Sequence, residues 1–289
     1  MLLGALEAGG TKMVCAIGNE NGEILDQVSF PTEEPNSTML NIIDYFKGKD
    51  ITGLGIGNFG PLDLNRKSKK YGYITTTPKY GWTNFNMVGT LSDALNVPIG
   101  FDTDVNAAAL GEATWGTTSG LDSSIYITVG TGIGVGVIVN NQILHGMLHP
   151  EAGHVLINKR VDDHYSSNCR FHPNCLEGLA SGPAIEGRWG KKAQELFDHE
   201  SVWDLEADYL AQGIVGYILT LSPQKIVLGG GVMNQTQLFP KIRSKVQVLL
   251  NGYIDTSEID NIDLYIVPSA LGGKQGIMGC LRLAYLNTL

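Results

Sequence analysis

The chain has 289 residues, enough for two domains, and its 20 basic against 29 acidic side chains leave a formal charge of −9. Such a balance repels nucleic acid and anionic membrane surfaces, so neither is expected as a partner. No run approaches the ~20 apolar residues of a membrane span.

The start, Met1-Leu2-Leu3-Gly4-Ala5-Leu6-Glu7, has no basic leader and too short an apolar stretch for a signal peptide. A cytoplasmic protein is therefore expected. In that compartment Cys15, Cys169, Cys175 and Cys280 point to metal binding before disulfides.

The first elements form a device that occurs twice. Glu7-Ala8-Gly9-Gly10-Thr11-Lys12 leads into Met13–Ile17 and then Glu23-Ile24-Leu25. Thr128-Val129-Gly130-Thr131-Gly132-Ile133-Gly134 leads into Val135–Val139 and then Gln142-Ile143-Leu144. Each copy reads as a strand, a tight Gly-Thr turn, a second strand and a polar reversal into a third. Thr11 and Thr131 stand 120 positions apart. Turns with glycines let backbone N–H groups converge on an anion. Two of them, one heading each half, suggest two lobes gripping one polyphosphate. Neither fits the Walker pattern or a dinucleotide fingerprint, because each joins strand to strand. Thr11 and Thr131 add hydroxyls, Lys12 adds a cation, and Glu7 is placed to hold Mg²⁺ through water. A single such turn is ordinary hairpin geometry; the repetition is what favours the ligand.

Further along, a helix is expected from Ser37 to Lys47, capped by Asn36 or Ser37. Ile51 to Gly57 reads as a buried strand. Arg66, Lys67, Lys69 and Lys70 form the one basic run, read as a solvated loop. After the Thr/Pro/Gly-rich stretch from Tyr71 to Trp82 come a helix over Asn86–Leu95, a strand over Pro98–Phe101 and a helix over Asp104–Trp115. At that last junction lies Phe101-Asp102-Thr103-Asp104. Thr103 or Asp104 either caps the helix, or the carboxylate faces a cleft and accepts a proton as a phosphoryl group arrives.

The second half opens near Ser123 and is interrupted by Asp162–Asn174, which is poor in apolar residues. His154, Cys169, His172 and Cys175 accompany this segment, with His149 and His164 as spare candidates. Two Cys and two His suit a closed tetrahedral Zn²⁺ site of structural type, and such a metal would order a loop with little core of its own. Free thiols and surface imidazoles are the plainer reading. Glu151 and Glu177 flank the set, so the loop can present both carboxylates to a polyol. Strands at Lys225–Leu228 and Leu264–Val267 follow, the former running into Gly229-Gly230-Gly231-Val232-Met233. There, glycines permit close approach of a flat ring or ribose, or simply make a turn. A last helix, about Gly273–Leu286, is expected to cross back to the first lobe.

Strands alternating with helices in two similar halves argue for α/β layers in each. The expected division is an N-terminal lobe, residues 1–118 with the returning helix at about 271–289. A C-terminal lobe, 119–270, carries the metal loop 154–175. The hinge falls close to residue 118.

Taken together, these motifs resemble the ROK family (repressors, open reading frames and sugar kinases), and more narrowly its zinc-containing bacterial fructokinases. The resemblance rests on Glu7–Lys12, Pro78-Lys79-Tyr80-Gly81-Trp82, the Asp104 segment, Gly130-Thr131-Gly132, Glu151-Ala152-Gly153-His154, the Cys/His set and Gly229–Gly231, and it spans essentially the whole chain. It implies a two-lobed actin-like ATPase (ribonuclease-H-like) fold of duplicated βββαβα units around a cleft. It also implies ATP-dependent phosphorylation of fructose at the 6-hydroxyl, with mannose or glucose as alternative hexoses, and a homodimer. Carried over by position, Asp104 is the general base, and Thr103, Asp104, Glu151, His154 and Glu177 hold the sugar. Gly9, Gly10, Thr11, Lys12, Gly130, Thr131 and Gly132 become phosphate loops, and Gly229, Gly230, Gly231 and Met233 the adenosine side. His154, Cys169, His172 and Cys175 hold structural Zn²⁺, and Mg²⁺ accompanies ATP. The chain departs from the common family pattern at His172 (usually Cys), Thr103 (usually Asn) and Glu7 (often Asp). Repressor relatives carry a helix-turn-helix domain ahead of this body, whereas the chain starts within its first strand, so DNA binding is not expected.

Overall fold

A computed structural model describes all residues 1–289. The chain forms two compact units: Met1–Gly120 with Gln142–Pro150 and Leu271–Leu289, and Leu121–Asn141 with Glu151–Ala270. Gln142–Pro150, inside the range expected for the second lobe, thus clusters with the first unit.

In the first unit, β1 (Leu3–Ala8) and β2 (Lys12–Gly18) form a hairpin, with β3 (Ile24–Pro31) antiparallel at its edge. On the other side of β1 lie β4 (Leu54–Asn58) and then β5 (Ile99–Thr103), both parallel. Their register aligns Ala8, Asn58 and Thr103, so three parallel strands end at one level. In open α/β sheets, ligands bind outside those carboxyl ends.

The sheet is apolar on both faces because alternate residues serve different cores. Leu6, Ala8, Met13, Cys15 and Ile17 pack with Ile42, Phe46 and Trp82. Leu3, Ala5, Val14 and Ala16 pack instead with Ala107, Ile277, Cys280 and Leu281. The first helices are α1 (Pro35–Phe46), α2 (Met87–Leu95) and α3 (Asp104–Trp115). Helix α1 begins two residues before the expected Ser37, since Pro35 has the φ a first turn needs and no N–H to satisfy. Strand β4 begins three residues later than expected, at Leu54, and β5 runs on to Thr103, so that both match β1 in register.

The second unit repeats the plan. β6 (Ser124–Val129) pairs antiparallel with β7 (Ile133–Val139) and parallel with β8 (Lys225–Gly229), which is parallel to β9 (Ile266–Pro268). The third strand of this copy shrinks to Gln142–Ile143. Helices α4 (Leu176–Ala180), α5 (Gly182–Trp189), α6 (Glu200–Leu221) and α7 (Leu238–Leu250) complete it. Trp203 and Tyr209 of α6 are fully buried, each with its polar atom satisfied: Trp203 Nε1 donates to Leu196 O at 2.8 Å and Tyr209 OH to Asp163 at 2.7 Å.

The last helix is α8 (Gln275–Leu286), which clusters with the first unit. There it lies tightly against α3 and β4. A Cβ on Gly279 would stand 1.7 Å from Ala107 O, and one on Gly55 would stand 1.8 Å from Cys280 O. No helix is long and apolar enough to cross a membrane.

Candidate active site and metal centre

At the end of β5 the structure shows which residue caps the helix that follows. Thr103 is the cap: its hydroxyl oxygen accepts the Asn106 N–H at 3.1 Å. Asp104, first residue of α3, receives the Val105 N–H on Oδ1 at 2.8 Å. Burial raises its carboxyl from the ordinary aspartate value by disfavouring the charge, with backbone N–H groups of Val105 and Asp104 opposing. Glu7 of β1 is pushed up to about 7, first by burial and then by the Asp104 charge, with Lys12 opposing. Two carboxyls of raised proton affinity therefore share one corner of the first unit. Such a group is a more competent proton acceptor than an ordinary aspartate.

Sequence reasoning gave Asp102 no role, yet it organises this junction. It is 3% exposed. Oδ1 accepts the Thr103 N–H at 2.8 Å and the Asn106 amide at 2.7 Å. Oδ2 lies 2.9 Å from His145 Nε2.

The first Gly-Thr turn is held from outside. Thr32 donates its hydroxyl to Gly9 O at 2.8 Å and its N–H to Thr11 O at 3.0 Å, and Lys79 Nζ donates to Gly10 O at 2.6 Å. Gly9 closes the turn by donating to Lys12 O at 3.0 Å. In the second unit, Gly130 donates to Gly132 O at 2.9 Å, and its carbonyl accepts Gly182 N–H at 2.8 Å. The N–H groups of Gly9 and Gly130 thus belong to the turns themselves. The tips, Gly10-Thr11-Lys12 and Thr131, are exposed.

The glycine run after β8 is needed for backbone reasons. Gly230 has φ +90, and a Cβ on Gly229 would stand 2.4 Å from the Tyr126 hydroxyl. Gly231 is exposed with open space about it, while Met233 is 5% exposed and belongs to the core.

His154, Cys169, His172 and Cys175 come together, their donor atoms all within 4.8 Å of one another. His154 Nδ1 is 3.6 Å from Cys175 Sγ and 3.9 Å from Cys169 Sγ, and His172 Nδ1 is 3.6 Å from Cys169 Sγ. A tetrahedral ion with bonds of ~2.3 Å to sulfur and ~2.0 Å to nitrogen separates the two donors by roughly 3.5 Å. The set therefore fits a four-coordinate metal ion. Backbone pairing draws the ends of the segment together, through the Leu156–Cys175 bridge and Ile157 N–H to Asn174 O at 2.9 Å. Burial pushes the Cys175 thiol up to about 11, so a thiolate there calls for a cation.

His154 turns its other nitrogen toward Glu177: Nε2 lies 3.7 Å from Oε1. Metal-binding imidazoles commonly carry a carboxylate on that side. Glu177 Oε2 accepts the Ile133 N–H at 3.0 Å. Glu151 is exposed, just before the short turn Ala152–His154. The spare candidates stand outside the cluster. His149 is buried and accepts the Leu62 N–H on Nε2 at 3.1 Å; burial lowers its pKa and keeps that lone pair available. His164 is not among the four.

The sequence model of the ROK family matches residues 3–286, and the chain belongs to that family. A relative from Bacillus subtilis (strain 168) is 52% identical, covering 98% of this chain and 95% of its own. A fructokinase of Pediococcus pentosaceus is 49% identical, covering 98% of both chains. The fructokinase of Lactococcus lactis subsp. cremoris is 42% identical, covering 98% of this chain and 96% of its own. Among solved structures, a ROK hexokinase from Thermus thermophilus superposes with a TM-score of 0.82 at 26% identity, covering 99% and 98% of the two chains. The fold is that of ROK sugar kinases, the two-domain actin-like ATPase fold.

Proposed function

We propose that the chain transfers the terminal phosphoryl group of ATP to the 6-hydroxyl of D-fructose. What carries this reading is the identity of 49% and 42% to two fructokinases over nearly the full length. The raised proton affinity at Asp104 supports the assignment of the base.

In this reading Asp104 takes the hydroxyl proton as O6 attacks the terminal phosphorus and the bond to the ADP oxygen breaks. Thr103, Glu151, His154 through Nε2, and Glu177 orient the sugar hydroxyls. Lys12 and the turns Gly9–Thr11 and Gly130–Gly132 engage phosphate oxygens, and Gly229–Gly231 with the backbone of Met233 border the adenosine. Glu7 would hold Mg²⁺ through water, and the ion would supply charge neutralisation at the phosphates. Zn²⁺ on His154, Cys169, His172 and Cys175 would be structural, fixing the His154 ring. We place the enzyme in the cytoplasm as a homodimer. Catalysis here is positioning and charge neutralisation more than covalent chemistry.

The test is ADP release by the wild type and Asp104→Asn on fructose, mannose and glucose. Fructose is expected to give the highest kcat/KM. The Asn variant should lose roughly 10²- to 10⁴-fold in kcat while retaining ATP binding. Undiminished turnover by the variant would remove Asp104 from the chemistry. A second reading, a kinase for another hexose such as glucose, is suggested by a glucokinase relative 30% identical over 95% of this chain; the same sugar panel, mannose included, decides it.

A further inference from the structure

Asp102 and His145 take no part in the reaction as written above, yet Asp102 lies two residues before its proton acceptor and His145 contacts Asp102. Asp102 is almost completely buried, and a buried carboxylate is costly without a charged or hydrogen-bonding partner. One oxygen is occupied by the Thr103 N–H and the Asn106 amide, which fix the cap and first turn of α3. The other meets His145 Nε2 at 2.9 Å. That hydrogen bond, and the Asp102 charge, raise the imidazole's pKa despite partial burial.

The other titratable groups that feel Asp102 are poor substitutes. Burial holds His149 toward its neutral form, and its Nε2 serves the Leu62 N–H. Burial raises the Tyr71 phenol, and Cys280 is a deeply buried thiol with its pKa raised the same way. His145 is therefore the side chain that engages the second oxygen of Asp102.

We propose that His145 is a positioning residue for phosphoryl transfer: through Asp102 it sets the placement of Thr103 and Asp104 at the start of α3. The inference rests on the reading of Asp104 as proton acceptor. Without the imidazole, Asp102 Oδ2 loses its 2.9 Å partner and the carboxylate is free to turn, which loosens its hold on the Thr103 N–H and the Asn106 amide. A small displacement of Asp104 follows, and misplacement of a reacting group by about 1 Å costs roughly 10²-fold. His145 belongs to the crossing segment Gln142–Pro150, which continues in sequence into Glu151–His154.

The experiment compares His145→Ala and His145→Gln with the wild type for kcat, both KM values and thermal unfolding, using intact enzyme. Expected is a loss of at least about tenfold in kcat for His145→Ala, with KM for ATP within about twofold. His145→Gln, whose amide restores a donor to Asp102, should recover most of that turnover. A folded His145→Ala with wild-type kcat overturns the proposal. Equal impairment of the Ala and Gln variants overturns it as well. Asp104→Asn run alongside separates the two readings. An active Asp104→Asn defeats the base assignment, whereas an inert one beside a fully active His145→Ala defeats only the role of His145.

Discussion

Glu177 occupies the space that a side chain on Gly132 would enter: a Cβ there would stand 2.6 Å from Glu177 Oε2, the oxygen that accepts the Ile133 N–H. The obstacle is the end of a flexible side chain, so Gly132→Ala should fold with a stability loss of no more than about 1 kcal/mol. Glu177 would have to swing away from both Ile133 and His154. KM for fructose is expected to rise roughly tenfold, read by steady-state kinetics, with the melting temperature nearly unchanged. An unaltered KM would separate Glu177 from the sugar.

Gly279 presents the opposite case. Its missing Cβ would stand 1.7 Å from a backbone oxygen, Ala107 O, between α8 and α3. Neither helix can yield without shifting the core on that face of the sheet. Gly279→Ala should cost about 1–3 kcal/mol or more, seen as a lower denaturant midpoint.

Metal content gives a third test. Wild-type protein should carry about one Zn²⁺ per chain, and Cys169→Ser or a strong chelator should remove it. Because the segment around Cys169 has few apolar side chains, its loss of order should lower the melting temperature by several degrees. Fructose phosphorylation should fall with it, since His154 loses its anchor. A metal-free wild type of equal stability would refute the closed four-ligand site.

Stability should also depend on pH through Glu206, outside the active site. It is fully buried in α6, and burial raises its carboxyl well above the ordinary value of 4.5, with Arg188 opposing. The folded state therefore holds this proton to higher pH than the unfolded chain does. Its contribution is complete below about 4.5 and is lost as pH rises toward the folded value. Glu206→Gln, close in shape to the protonated acid, should melt with the wild type at pH 5 and above it at pH 8. Parallel melting curves at both pH values would contradict the assignment.

Local chemistry made some of this legible in the sequence. The helix over Asp104–Trp115 is legible because its cap residue, Thr103, and its terminating Gly116 flank it directly in the chain. Cys169, His172 and Cys175 were recognisable from short spacing, and His154 joins them once Leu156 pairs with Cys175. What stayed hidden are contacts that no local pattern encodes. Lys79 reaches Gly10 across 69 positions, and His149 reaches Leu62 across 87. The Asp102–His145 pair is of the same kind, and so is the crossing of Gln142–Pro150 into the first unit. The early start of α1 is a local miss, where polar Asn36 and Ser37 looked like caps although Pro35 had already set the first turn.

The return of α8 has a consequence for biosynthesis. Ile277, Cys280, Leu281 and Ala284 cover one face of a sheet whose first strand emerges from the ribosome nearly three hundred codons earlier. Until α8 has been made, Leu3, Ala5, Val14 and Ala16 have only α3 to cover them, and the nascent chain must be shielded or must wait unfinished. Chains shortened before Gln275 should accordingly aggregate or be degraded, although every residue assigned to chemistry would still be present.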